Sequence, residues 1–317
     1  MKELLQQIKG LRVLVIGDVM LDRYVIGEVN RISPEAPVPV LAVSEERSVA
    51  GGAANVALNL RSLGAAVEVI GWFGEDERGE ELIDLLSQSD VSVDAQFRFS
   101  SAPTITKSRV TASNQQICRV DRESSPQYYL PDLEKLGSLI ADKAESVDAV
   151  IVSDYGKGFV SDDLLSLVRS SAQFLSVDPK PSRPLAYSQS DLLTPNRFEA
   201  LELAGLSRET RCSFPEEEVV QKIFEKFSPR LLAITLGAEG MLLAKDGNIL
   251  QTIPTAAREV FDVSGAGDTV IASLSLALAA GQPFERAAEF ANLAAGVVVG
   301  KVGTANVSPV EILDLLP

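Results

Sequence analysis

Short apolar runs alternate with amphipathic stretches along nearly the whole chain, the pattern of strands and helices wound in turn. Residues 11–16, LRVLVI, end at Gly17-Asp18 and read as a strand covered on both faces in a parallel sheet. Similar strands are predicted at 67–71, within VDAVIVSDYGKG (147–158), in FLSVDPK (174–180), in DLLTPN (191–196) and within 230–250, where Asp246-Gly247 closes a hairpin. Helices are predicted over 50–64, around 77–88, near 132–145, over 284–300 and at the end, where Ser308 caps and Pro309 takes the first turn. The order implies right-handed βαβ units and one α/β domain. Two segments break the rhythm. Residues 23–43 carry three prolines within six positions, and 96–122 show period-two alternation, so a small β flap is expected from about 23–45 and 96–122.

The stretch 260–280, VFDVSGAGDTVIASLSLALAA, organises the rest. A Gly265-Ala266-Gly267-Asp268 turn opens an apolar helix, so unpaired N–H groups and the positive end of the helix dipole meet there. That suits a phosphoryl group in transit, with the Asp268 carboxylate close enough to accept a proton from an attacking hydroxyl. An N-cap in a tight turn would use the same four residues. Elsewhere Asp18 and Asp22 follow the first strand, where ligands collect in open α/β sheets, although loop-capping needs the same residues. Gly51 and Gly52 allow close approach of a ligand or close helix–sheet packing; Asn55 in the next turn offers a donor and an acceptor. Lys107 and Arg109 share a β face that is either a solvated edge or, with Arg119, a grip for a substrate's phosphate. Three further strand ends bring Ser153, Asp154 and Lys157, then Lys180, then Glu199 to one edge. The Thr235–Gly240 turn either joins strands or borders a nucleotide phosphate.

Composition narrows the chemistry. The chain of 317 residues has 46% hydrophobic content, enough for a large core, and carries a net charge of −15, which argues against nucleic acid or an anionic membrane as partner. No apolar run reaches a membrane span and MKELLQQIKG lacks a signal-peptide core, so a soluble cytoplasmic protein is expected. There is no histidine, which removes Ser-His-Asp, Cys-His and His-metal machinery and leaves carboxylates as proton acceptors. Cys118 and Cys212 have no metal or disulfide spacing and are expected to be small buried hydrophobes or reduced thiols. Neither a P-loop nor a G-x-G-x-x-G motif follows a strand.

FDVSGAGDTV, GGAAN and NRFE, in that order, resemble the ribokinase-like (phosphofructokinase B) carbohydrate kinases over essentially the whole chain. The resemblance implies a three-layer α/β/α domain with a mostly parallel sheet and a β lid. It makes Asp268 similar to the catalytic base and the amides of Gly265, Ala266 and Gly267 similar to the anion hole. It sets Asn196, Arg197, Phe198 and Glu199 beside ATP, with Asn196 and Glu199 ordering Mg2+ mostly through water. Thr235, Gly237 and Gly240 then lie on the nucleotide side and Asn292 near the base, while Asp18, Asp22, Gly51, Gly52 and Asn55 hold the sugar. Lys107, Arg109, Lys157 and Lys180 are assigned to the sugar phosphate or the transferred group, and Asp262 and Ser264 to a monovalent cation such as K+.

Finer matches, GDVMLDRY, RISPEAPVPV, TITKSRV, NQQICRVD, SDYGKG and AAGVVVGKVGT, are similar to the branch acting on heptose 7-phosphate, whose product is a lipopolysaccharide-core precursor. The resemblance implies phosphorylation of the C1 hydroxyl and a homodimer through the lid. The alternative is a kinase of another sugar or sugar phosphate on the same fold, or a catalytically silent sugar- or nucleotide-binding regulator. That branch is often fused to a nucleotidyltransferase; with the chain stopping at Pro317, no second catalytic domain is expected and that activity is assigned to another polypeptide.

Overall fold

The computed structural model describes residues 1–112, 115–207, 214–257, 260–301 and 303–315. Its main sheet has nine strands, in the order Asn248–Ile253, Met241–Lys245, Leu231–Thr235, Leu192–Leu193, Leu175–Asp178, Ala149–Ser153, Arg12–Gly17, Ala66–Ile70 and Val91–Val93. All neighbours pair in parallel except the edge hairpin at 241–253, which turns back antiparallel through Asp246 and Gly247, both at positive φ. The central strands are apolar on both faces because helices cover both. Helices Ala53–Ser62, Ala266–Ala279 and Phe284–Val298 pack together, as do Leu133–Glu145 with Asp162–Ser171 and Arg197–Leu203 with Glu216–Phe227. The result is a three-layer α/β/α arrangement. The helix at 266–279 is buried from Asp268 through Ala277, which accounts for its apolar sequence on every side.

A second sheet stands off the first. Val19–Ile32 and Pro39–Gly52 form a long antiparallel hairpin, and Thr106–Ala112 joins it in parallel, followed by Gln115–Arg122. Pro34 and Pro37 lie in the turn at the hairpin's far end and Pro39 opens its second strand, so no proline interrupts a ladder. The hairpin's near end is rooted in the main domain, since Val19 follows the first central strand and Gly52 leads into the helix at 53–62. Residues 96–105, expected within the flap, lie outside it. Ala95–Phe97 is a 3-10 turn, and Arg98–Phe99 pairs with Phe73–Gly74 while Phe99 stacks on Trp72. Of the two expectations for Cys118, a buried hydrophobe or a reduced thiol, burial does not hold: it is a free cysteine exposed on the outermost strand of the small sheet; Cys212 is outside the described residues.

Candidate active site

Parallel register aligns the ends of strands 12–17, 149–153 and 175–178, so the residues that follow them meet at one edge. Asp18 is the first. Its buried carboxylate accepts three backbone N–H bonds, from Tyr155 (2.9 Å), Lys157 (2.8 Å) and Phe159 (3.0 Å). Asp18 thereby clamps the 155–159 loop. Asp154 braces the same loop, accepting from Gly156 N–H (2.7 Å) and the Tyr187 hydroxyl (2.7 Å). Burial and the nearby Asp18 push the Asp154 carboxyl up to about 6.

The loop so held delivers Tyr155 to Asp268. The Tyr155 hydroxyl donates to Asp268 Oδ1 at 2.6 Å, and Asn55 Nδ2 donates to Oδ2 at 2.6 Å. Burial pushes the Asp268 carboxyl up to about 6, these two donors hold it down, and Asp22 adds a further upward push. A carboxyl with that value is ionised at neutral pH yet basic enough to take a proton. Asn55, expected on the sugar, spends its amide on Asp268, and its carbonyl accepts from Asn59, which in turn accepts from Thr269. One buried network therefore joins the helices at 53–62 and 266–279.

The diglycine is structural here. A Cβ on Gly51 would collide with the Asp22 carboxylate, and one on Gly52, at φ +58°, with the Asp18 carbonyl. These contacts are with the neighbouring strand and the Asp18 backbone, whereas the sequence sets helix–sheet packing beside ligand approach. Gly265 caps the helix at φ +79°, where a Cβ would crowd Asn55 and Thr304, whereas a Cβ on Gly267 would point into open space. The Ala266 N–H donates to the Val263 carbonyl at 3.2 Å, so it is not free for an anion as expected. Among the described residues, the N–H groups of Gly267 and Asp268 have no acceptor.

Two cavities meet at this helix mouth. The smaller, about 190 Å³, is lined by Tyr155, Asp178, Lys180, Glu199, Gly267 and Asp268, among others. The larger, about 820 Å³, runs from Gly267 past Asn196, Arg197, Phe198, Thr235, Gly237 and Gly240 to Asn292. It has the volume and the mostly apolar wall of a site for a nucleotide-sized ligand. Asn292 bonds the backbone at Pro254 (2.8 Å) and Ala256 (3.3 Å), pinning the loop that forms one wall. Arg197 pairs with Glu239 at 2.5 Å across the opposite wall.

Asn196 and Glu199 form a reciprocal capping box: the Asn196 side chain accepts from Phe198 and Glu199 N–H, and Glu199 accepts from Asn196 N–H. Lys180 closes the set through an ion pair to Glu199 at 2.7 Å. Asp178 faces the same space, and burial, then Glu199 and Asp268, push its carboxyl well above the ordinary range despite Lys180. Lys180 is matched by Glu199, and the wall offers mainly oxygen atoms, which fits Mg2+ carried on a triphosphate. Among the described residues no group of three or more His, Cys, Asp or Glu is placed to cage a metal, so phosphate oxygens and water would supply most ligands. Asp262 accepts from Ser264 N–H (2.9 Å) and Gly303 N–H (3.1 Å), both oxygens serving to join two loops, so a monovalent ion here would compete with those bonds.

At the root of the small sheet, Asp22 pairs with Arg109 at 2.6 Å, and Arg109 also lies over the Tyr24 ring. Lys157 is tied to Glu123 at 2.7 Å. Lys107 differs: it has no ion-pair partner among the described residues, and its ammonium lies 5.9 Å from the centre of the Tyr155 ring. Burial, then Lys157 and Arg119, push its pKa below the ordinary lysine value, with Asp22 and Asp121 opposing. A half-buried cation among cations is a place prepared for an anion.

Sequence reasoning missed Tyr155 and Asp178. Asp178 was detectable, since it ends the 175–178 strand as Asp18 follows its own; Tyr155 reaches Asp268 only through the loop that Asp18 and Asp154 shape.

The architecture defines the class first. The Arabidopsis thaliana ribokinase complexed with ribose and ATP matches with a TM-score of 0.75 at 20% identity, over 96% of this chain and 98% of that one. Escherichia coli phosphofructokinase-2 in complex with potassium matches with a TM-score of 0.79 at 20% identity, over the same shares. These likenesses establish a ribokinase-like fold. Residues 11–311 match the model of the pfkB family carbohydrate kinases, and the chain belongs to that family. The bifunctional protein HldE of Sulfurimonas denitrificans is 44% identical over 305 residues, 95% of this chain and 63% of that protein. HldE of Haemophilus influenzae (strain PittEE) is 42% identical over 312 residues, 96% of this chain and 63% of its own length. The chain therefore spans a little under two thirds of the curated relatives it matches.

Proposed function

We propose that this chain transfers the γ-phosphoryl group of ATP to the C1 hydroxyl of D-glycero-D-manno-heptose 7-phosphate, giving the 1,7-bisphosphate and ADP. The observation that carries this reading is Asp268, buried at a helix mouth between a nucleotide-sized cavity and a polar one, with its carboxyl near 6. The likeness to HldE and the matches in the proline-bearing hairpin support the heptose.

In this reading Asp268 accepts the proton of the acceptor hydroxyl as its oxygen bonds to the γ-phosphorus and the bond to ADP breaks. The free N–H groups of Gly267 and Asp268 face the charge that develops on the transferred group. Asn196, Glu199 and Lys180 border the triphosphate, with Asp178 added to the expected set. Mg2+ arriving with ATP would neutralise phosphate charge. Lys107, with Arg109, receives the sugar's own phosphate, because Lys107 is the half-buried cation left without a carboxylate. The small sheet serves as a lid that excludes water, since transfer to water competes with transfer to sugar.

Exposed apolar side chains on that sheet, Ile32, Val38, Val43, Ile117 and Val120, support a homodimer formed through it. No helix among the described residues is long and apolar enough to cross a membrane, and the use of ATP supports a cytoplasmic setting for the proposed reaction. A panel of sugars and sugar phosphates with ATP and Mg2+, read by ADP release, tests the assignment. Heptose 7-phosphate should give the highest kcat/KM; a preference for an unphosphorylated sugar would remove both the substrate and the role of Lys107.

A further inference from the structure

The contact between Tyr155 and the Asp268 carboxylate goes beyond the expected machinery of a base and an anion hole. We propose that Tyr155 is the positioning residue of the base: its phenol caps Asp268 between turnovers, keeps the carboxylate ionised and aimed, and gives way to the acceptor hydroxyl. This rests on Asp268 being the base.

Tyr155 is fixed at its backbone, its ring packs against the core, and its hydroxyl reaches Asp268. Its N–H donates to Asp18, and the neighbouring N–H groups of Gly156 and Lys157 go to Asp154 and Asp18. The loop is therefore fixed, and the hydroxyl at the ring's tip is the part of Tyr155 that an incoming group can displace from Asp268. The hydroxyl donates to Oδ1 at 2.6 Å on the wall of the smaller cavity, the space the reacting groups need. Asn55 keeps Oδ2 from the buried side, so the Tyr155 bond is the one a ligand can replace. The ring also lies beneath Lys107, the cation assigned to the sugar's phosphate. A sugar phosphate would thus engage both the group above the ring and the carboxylate at its tip.

Burial, then Asp268 and Asp178, push the Tyr155 phenol well above its ordinary pKa, so it keeps its proton throughout and acts only as a donor. The acceptor hydroxyl's proton passes to Asp268 alone, and the carboxyl returns it to solvent after product leaves. The groups facing Asp268 are Asn55 from the helix at 53–62, Asp22 from the small sheet, Asp178 from the main sheet and Tyr155 itself. Removing the hydroxyl takes away one of the two donors that hold the Asp268 carboxyl down against burial and Asp22, so the base becomes harder to ionise.

Tyr155→Phe keeps the ring and removes only the hydroxyl. In the full chain, two profiles are compared with wild type: sugar-dependent kcat/KM from pH 5 to 9, and ADP release without sugar. The acidic limb should move upward by about one pH unit, and sugar-independent ADP release should rise several-fold as a fraction of turnover, because water reaches an uncapped base. A structural role for the hydroxyl would lower the melting temperature and scale activity at every pH, leaving limb and ratio unchanged. Either readout left at its wild-type value overturns the inference. Asp268→Asn run beside it separates the two claims: turnover surviving in that variant removes the base itself, whereas an inactive Asp268→Asn with an unaltered Tyr155→Phe removes only the cap.

Discussion

At the scale of single residues, Asp268 shows how burial and two hydrogen bonds divide a carboxyl's behaviour between activity and stability. Asp268→Asn should lower turnover by at least about 10³-fold, the loss of a proton acceptor in the transition state, while ATP still binds; this is checked by single-turnover kinetics beside calorimetry. In the wild type, kcat/KM should fall as pH drops through about 6, where the carboxyl takes up its proton. Stability runs the other way. The folded pKa of about 6 lies above the ordinary 3.8, so between those values the native state holds a proton that the unfolded chain has released. Stability contributed here therefore falls as pH rises through that window and stays unfavourable above it. Asp268→Asn should accordingly melt higher than wild type at pH 7 to 8, by on the order of 1–3 kcal/mol, and the gain should shrink toward pH 4.

The helix at 266–279 and the small sheet carry the predictions at the scale of elements. Gly267 lies in the helix's first turn with open space where a side chain would stand, so Gly267→Ala meets no protein atom. Its methyl group would enter the junction of the two cavities instead. The variant should be more stable by up to about 1 kcal/mol from helix propensity, yet slower in turnover, a divergence that thermal melts and steady-state assays would reveal together. On the sheet, Lys107→Ala should raise KM for the phosphorylated sugar by roughly 10- to 100-fold, the worth of one charge-assisted hydrogen bond, and leave KM for ATP nearly unchanged. Equal effects on both substrates would move the phosphate elsewhere. Arg109→Ala is a less clean probe, because it also strips Asp22 of its partner and leaves an unpaired charge beside Asp268.

Across the whole molecule, the small sheet is joined to the site at its root and exposed at its far end. Its inner end supplies Asp22 and, through the hairpin's return strand, the diglycine that leads to Asn55. Its outermost strand and the far end of its hairpin carry exposed apolar side chains, Val120 at 57% and Ile32 at 61% exposure. If these are shared between two copies, Val120→Asp should halve the mass seen by light scattering and raise ADP release without sugar, since an unsupported lid closes poorly. A dimer unaffected by Val120→Asp and by Ile32→Asp would place the interface on another surface.

The sequence by itself determined the alternation of buried strands and helices, the helix mouth at 265–268 and the order of motifs, because hydrophobic periodicity, glycine and helix starts are local properties read within a dozen residues. It also put Lys107 and Arg109 on one β face, and the absence of histidine left carboxylates as proton acceptors. Partnership was decided only by tertiary structure. That Asp18 clamps a loop 137 residues away, that Asn55 holds Asp268 across 213 residues, and that Lys157 and Lys180 are paired with Glu123 and Glu199, follow from which strand ends and helices are brought side by side. A buried carboxylate takes whichever donors the fold places within reach, and that choice is a matter of three-dimensional distance rather than spacing along the chain.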